Sequence, residues 1–279
     1  MNVRYTIWDP SGNITALVES PVPRERQSAV AAELMARHPA VEQLGFVSLR
    51  PENGADASLR MAGGEFCGNA SLSAAALLRS RLGNAGTVGV PNLCSLRVSG
   101  ADQPIPVRLR REAEGVYAGS VRMPKAREIR ETEFCRSGLR GTLPLVRMEG
   151  ISHLIVAEPS PFCGLLDRPA EAEAAVKAWC AELGAEGLGL MFLQRGEGVL
   201  RLRPLVWIPG SGTLFWENSC ASGSSAVGMA LAAERGAPLR LTLEQPGGRL
   251  QADCDPGSGE TWLSGRTALL GQYDTQLRG

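Results

Sequence analysis

The sequence predicts an α/β (α+β) protein built as two homologous domains, and three observations carry that expectation. At 279 residues, the chain suits two domains or one large one. Short alternating apolar segments interleave with helical ones along its length. Two stretches, GGEFCGNAS at 63–71 and WENSCASGSSA at 216–226, each set a cysteine among small residues at the head of an alanine-rich run. Cys67 and Cys220 lie 153 positions apart, as do Gly83 and Gly236, the glycines that follow the two runs. A repeat of that length is too long for a solenoid and indicates duplicated domains facing each other.

The elements follow in order. Residues 3–9 and 14–19 read as a hairpin broken by the turn-forming DPSGN. Ala29, Ala32, Leu34 and Met35 mark a helix over 23–37, closed by Pro39. Strands are expected at 45–50 and 58–62, then a helix over 69–82 ending at Gly83, then strands at 88–98 and 105–109. The second half starts with an amphipathic helix over 169–183, whose inner face carries Ala172, Ala175, Val176, Trp179, Cys180 and Leu183. Strands at 190–193 and 199–207, a loop over 209–218, and a helix from Cys220 to about Arg235 come next. Strands at 239–243 and 249–252 flank the turn EQPGG. The domain boundary is placed within 123–130, where MPKAREIR interrupts the strand pattern, giving halves 1–124 and 125–279. Periodicity leaves open whether the last dozen residues return to the first domain.

Composition narrows the function. With 44% hydrophobic and 21% charged residues, 29 basic against 29 acidic groups and only 5% aromatics, the chain has no electrostatic or stacking footprint for nucleic acid. A small-molecule substrate is expected. Residues 1–6 alternate like a strand and lack the regions of a secretory signal. No apolar run approaches about 18 residues, so a membrane span is not expected. The expectation is a cytoplasmic protein. Seven scattered cysteines do not make a disulfide framework, and Cys94, Cys135, Cys163, Cys180 and Cys254 read as small buried hydrophobes.

Cys67 and Cys220 read differently because of where they stand. A helix start leaves backbone N–H groups unpaired and carries a positive dipole, which favours anions. A free thiol has a pKa of about 8.5, and a helix N-terminus lowers it towards neutrality. The same N–H groups can hold a substrate carboxylate where small residues allow close approach. Gly68, Asn69, Ala70 and Ser71 suit that role in one half; Ala221, Ser222, Gly223 and Ser224 suit it in the other. Two facing domains would set one thiol on each side of a bound carboxylic acid. Inverting a stereocentre needs a proton removed from one face and another delivered to the opposite face. The carbanion places charge on carboxylate oxygens, where each fixed donor contributes on the order of 3 kcal/mol.

These residues resemble the diaminopimelate epimerase superfamily of cofactor-independent racemases and epimerases. CGNA is similar to its first cysteine motif and CASGSSA to its second. The resemblance covers the whole chain and implies two pseudo-symmetric α/β domains, each a mixed sheet wrapped around a central helix. It also implies Asn13 as a substrate contact and homodimers at the family level. Departures bear on the substrate. Ala70 and Ser71 replace the usual Gly-Arg, Ser211 and Gly212 replace a Glu-Arg pair that grips the distal end of diaminopimelate, and Ser58 replaces an asparagine. DPSGNITALVES and VEQLGFV resemble the histidine racemases of opine-type metallophore biosynthesis. That resemblance implies Glu42 as the partner of an imidazole and His153 as a residue that orients Cys67 or exchanges a proton with it. Glu217 and Asn218 stand just before Cys220 as further substrate contacts, and Trp216 as a pocket wall. A solvated Glu42 and a structural His153 are the alternatives.

The expected activity is thus inversion at the α-carbon of an amino acid, histidine foremost, by two cysteines without cofactor or metal. Diaminopimelate epimerase and a related-fold isomerase are the alternatives. A pyridoxal-phosphate racemase needs a Schiff-base lysine, and the chain offers only Lys125, in the linker, and Lys177, among Glu171, Glu173 and Glu182. No cysteine or histidine pair has metal-ligand spacing. A cysteine hydrolase leaves Cys220 without a role, and an amino-acid-binding protein needs neither thiol.

Overall fold

The computed structural model describes residues 1–82, 88–136, 138–196 and 198–277. They divide into two units, Met1–Arg122 with the stretch from Ser264, and Met123–Leu263. Among the described residues, no helix is long and apolar enough to cross a membrane.

The first unit runs β1 (Asn2–Asp9), β2 (Thr15–Val18), α1 (Gln27–Arg37), β3 (Gln43–Ser48), β4 (Ala57–Met61), α2 (Gly68–Arg81), β5 (Pro91–Val98), β6 (Ile105–Ala113) and β7 (Val116–Arg122). The expected hairpin forms: β1 and β2 pair antiparallel. Its turn needs left-handed backbone at Ser11 (φ 57°) and Gly12 (φ 93°). The β2–β3 and β4–β5 pairs are parallel, each crossing over through a helix, and β3–β4 and β5–β6 are antiparallel. Val3, Tyr5, Ile7, Val18, Leu44 and Phe46 close a core under Val30 and Leu34 of α1.

The second unit repeats that plan. It comprises β8 (Glu128–Arg136), β9 (Leu139–Arg147), β10 (Ser152–Ala157), α3 (Pro169–Leu183), β11 (Leu188–Arg195), β12 (Leu200–Ile208), β13 (Thr213–Trp216), α4 (Ala221–Arg235), β14 (Leu239–Gln245) and β15 (Gly248–Asp255). Here β10–β11 and β12–β14 are the parallel pairs, flanked by antiparallel β9–β10, β11–β12 and β14–β15. The last strand, β16 (Glu260–Gln276), runs from the second unit back into the first. There it pairs antiparallel with β1 and reaches Leu277, which joins the first core.

The two cysteine-led helices are buried on every side: from Gly68 to Leu78 no residue of α2 is exposed, and α4 is nearly as covered. A helix enclosed by sheet has no polar face to turn outward, so its residues are small and its hydroxyls must bond locally. Ser71 and Ser224 donate to carbonyls one turn back, Ser225 donates to Ala221, and Ser73 meets Thr267 at 2.8 Å. By contrast α1 and α3 are amphipathic outer helices. Trp179 of α3 sits 4.9 Å from the Phe134 ring and 5.1 Å from Phe162.

Helix boundaries match the periodicity closely. Residues 169–183 are α3 as expected, with left-handed Gly184 beyond it, and α4 ends at left-handed Gly236. α2 spans 68–81 against the expected 69–82, while Gly83 lies outside the described residues. A 3-10 turn, Arg24–Arg26, takes the first residues of the helix expected over 23–37. The strands β7, β8, β9, β10, β13 and β16 are not among those the sequence predicts. Part of β8 lies where a linker was expected, because its residues are charged and exposed. It is the last strand of its sheet path, and charged side chains suit an edge strand.

Candidate active site

Each cysteine is the N-cap of its helix. Cys67 has extended backbone (φ −131°, ψ 113°) and its Sγ accepts the Ala70 N–H at 3.3 Å; Cys220 (φ −115°, ψ 110°) does the same with the Gly223 N–H, also at 3.3 Å. In both heads the residue four positions on is a serine whose hydroxyl donates to the cysteine carbonyl, Ser71 at 2.7 Å and Ser224 at 2.6 Å. The duplication inferred from spacing therefore extends to individual hydrogen bonds. Gly68, Asn69, Ala221 and Ser222 are buried in the first turns beside the thiols, where backbone N–H groups have no partner within their own helix.

In the first unit, the DPSGN turn and the start of β3 bring more groups together. Asn13, fully buried, donates from Nδ2 to Glu42 Oε2 at 2.8 Å, and the Glu42 N–H reaches the Ile14 carbonyl. Glu42 is half-buried and held by that bond, so the solvated alternative is not its environment. Next in sequence, Gln43 turns its Oε1 to the Cys67 thiol, which donates at 2.6 Å. Gln43 was not singled out from sequence, although it stands inside the quoted VEQLGFV. Glu65, two residues before Cys67, has its carboxyl raised above the usual range, chiefly by burial.

In the second unit the Cys220 thiol is buried and held well above its ordinary pKa. Burial is the main cause, followed by the Glu217 carboxylate, which repels the thiolate and accepts a hydrogen bond from the thiol. Ser222 and the Gly223 N–H pull the other way. A thiol lowered towards neutrality by its helix was the expectation, and for Cys220 the structure reverses it. Desolvation inside an enclosed sheet and an adjacent carboxylate outweigh one capping N–H. Asn218 is exposed, and its carbonyl accepts from Gly247.

His153 sits on β10 in the second unit, fully buried, with neither ring nitrogen hydrogen-bonded, and burial lowers its pKa to about 3. Gly189 opposite it has no room for a Cβ, which would collide with the imidazole and with Met191. Trp216 stacks on Phe192 at 5.7 Å and donates to Glu173 of α3. Ser211 and Gly212 are exposed at the β12–β13 turn. Lys125 donates to the Ser258 carbonyl and Lys177 lies over the Trp207 ring.

A sequence profile described as the histidine racemase CntK N-terminal domain matches residues 2–262. The chain belongs to this family. It is an isomerase of the amino acid racemase and epimerase class. A histidine racemase of Staphylococcus aureus is 27% identical over 251 residues, covering 89% of this chain and 87% of its own length. One from Fusobacterium nucleatum is 29% identical over 250 residues, covering 87% and 86%. Among solved structures, a probable proline racemase from Agrobacterium radiobacter superposes with a TM-score of 0.72 at 14% identity, covering 99% of this chain and 93% of its own. A hydroxyproline epimerase from Agrobacterium vitis gives 0.70 at 13%, covering 100% and 93%. At that identity these structures establish the shared pseudo-symmetric fold.

Proposed function

We propose that this protein racemises histidine at its α-carbon, with Cys67 and Cys220 as the two acid–base groups and no cofactor. The observation that supports the reading best is the duplicated helix head, which presents one capped thiol per unit in matching backbone geometry.

The chemistry follows from the groups in place. Cys220 rests as a thiol and is the proton donor at the start. Cys67, whose thiol proton is held by Gln43 Oε1, first releases that proton to solvent and as the thiolate takes the α-proton from one enantiomer. As the Cα–H bond breaks to the Cys67 sulfur, the Cys220 proton passes to the opposite face of the same carbon. Racemisation in the other direction exchanges the roles. Cys220 must then start ionised against burial and Glu217, and a substrate ammonium group beside Glu217 offsets that cost. First-turn N–H groups at Gly68, Asn69, Ala221 and Ser222 hold the carboxylate, where the carbanion's charge accumulates. Glu42, oriented by Asn13, receives the imidazole N–H, which gives histidine its advantage.

The test is a substrate panel without added cofactor, read by change in optical rotation: a loss from L-histidine, D-histidine or L-proline, and a gain from meso-diaminopimelate. The reading expects both histidine enantiomers to converge on a racemic mixture. Turnover of diaminopimelate with none of histidine would overturn the substrate assignment.

A further inference from the structure

The turn joining β14 to β15 reaches back to the head of α4. Gln245 and Gly248 pair across its two-residue tip, and the Gly247 N–H donates to the Asn218 carbonyl at 2.9 Å. Gln245, only 7% exposed, points at the helix start. Its Oε1 accepts the Cys220 N–H at 2.8 Å and its Nε2 donates to Ser224 Oγ at 2.9 Å. Ser224 gives its single hydroxyl proton to the Cys220 carbonyl, so it can only accept from Gln245. That fixes the orientation of the amide.

The result is a closed ring of three hydrogen bonds holding both the N–H and the C=O of Cys220. An N-cap residue's own N–H is ordinarily satisfied by a glutamate or glutamine three positions on. Here that position is Gly223, which has no side chain, and Gln245 supplies the acceptor from a different strand. The first unit is anchored otherwise. Ser99, just past β5, accepts the Met61 N–H and donates to the Glu65 carbonyl, two residues short of Cys67.

We propose that Gln245 is a positioning residue for Cys220, fixing the backbone on both sides of its Cβ so that the sulfur keeps its reactive place. The inference rests on the reading of Cys220 as an acid–base thiol. It requires both ends of the amide: an acceptor for Cys220 and a donor for Ser224. Protonated glutamate also offers that pair, whereas ionised glutamate lacks the donor and methionine lacks both.

The experiment compares wild type with Gln245→Met and Gln245→Glu, measuring kcat and KM for histidine, thermal midpoint, and the rate of iodoacetamide alkylation at Cys220. Gln245→Met is expected to lower kcat about tenfold to 100-fold, the cost of a small misplacement of a reacting group, with KM changed less than about threefold. Gln245→Glu is expected to recover activity relative to wild type as pH falls and its carboxyl gains a proton. Wild-type kcat and alkylation rate in both variants would overturn the proposal, as would a loss in Gln245→Glu that is the same at every pH. Should the wild type racemise no amino acid while Gln245→Met, still folded, changes Cys220 alkylation, the functional reading fails and the positioning role stands.

Discussion

Met191 of β11 lies against Gly223 of α4 on the side from which a Cβ would rise, its sulfur well inside the closest approach a real Cβ makes. The same point is 3.1 Å from Cys220 Sγ. Gly223→Ala must therefore push Met191 or the helix head aside. We expect kcat to fall at least about tenfold. Met191→Ala in the same chain should restore part of it, because contacting sites couple. Equal losses in the single and double variants would show that the two residues do not interact.

Glu217 keeps the Cys220 thiol protonated, second to burial itself. Glu217→Gln removes the charge, so the alkylation of Cys220 should reach its half-maximal rate at lower pH. It should stay above the ordinary thiol value, since burial remains. A midpoint that does not move would remove Glu217 from the acid–base site.

His153 makes stability depend on pH. Its pKa is about 3 when folded, against 6.5 for the free side chain, so the unfolded chain binds a proton the folded one refuses between those values. The contribution is complete above about pH 6.5 and is lost as pH falls towards 3, at up to about 1.4 kcal/mol per pH unit. Urea midpoints from pH 7 to 4.5 should fall more steeply for wild type than for His153→Phe. Parallel curves would mean that the ring is protonated inside the fold.

Trp179 fixes the outer layer of the second unit between Phe134 and Phe162. Trp179→Ala should cost about 3–5 kcal/mol, read as a lower urea midpoint. A loss below about 1 kcal/mol would mean that the core collapses around the gap.

Much of this was legible because it rests on short-range rules. The 153-residue offset, the small residues after each cysteine and Gly236 placed α2 and α4, and the apolar spacing of 169–183 placed α3. The shortfalls have physical causes. β8 carries too much charge to read as a strand, since edge strands need no apolar alternation. The state of Cys220 depends on burial that only tertiary structure supplies. The resemblance singled out His153, but the depth at which its ring is enclosed is set by tertiary structure. Gln43 and Gln245 act on cysteines 24 and 25 positions away, with no local signal, although both stand in segments singled out for other reasons, VEQLGFV and the EQPGG turn.

Two-thiol inversion is tested most directly by histidine in deuterated water, followed by mass and chirality at early times. If two groups act from opposite faces, D-histidine formed from L-histidine carries deuterium at Cα while recovered L-histidine carries almost none. Either Cys67→Ser or Cys220→Ser should slow that inversion at least about 100-fold. Deuterium appearing in recovered substrate as fast as in product, or inversion surviving loss of either thiol, would contradict the account.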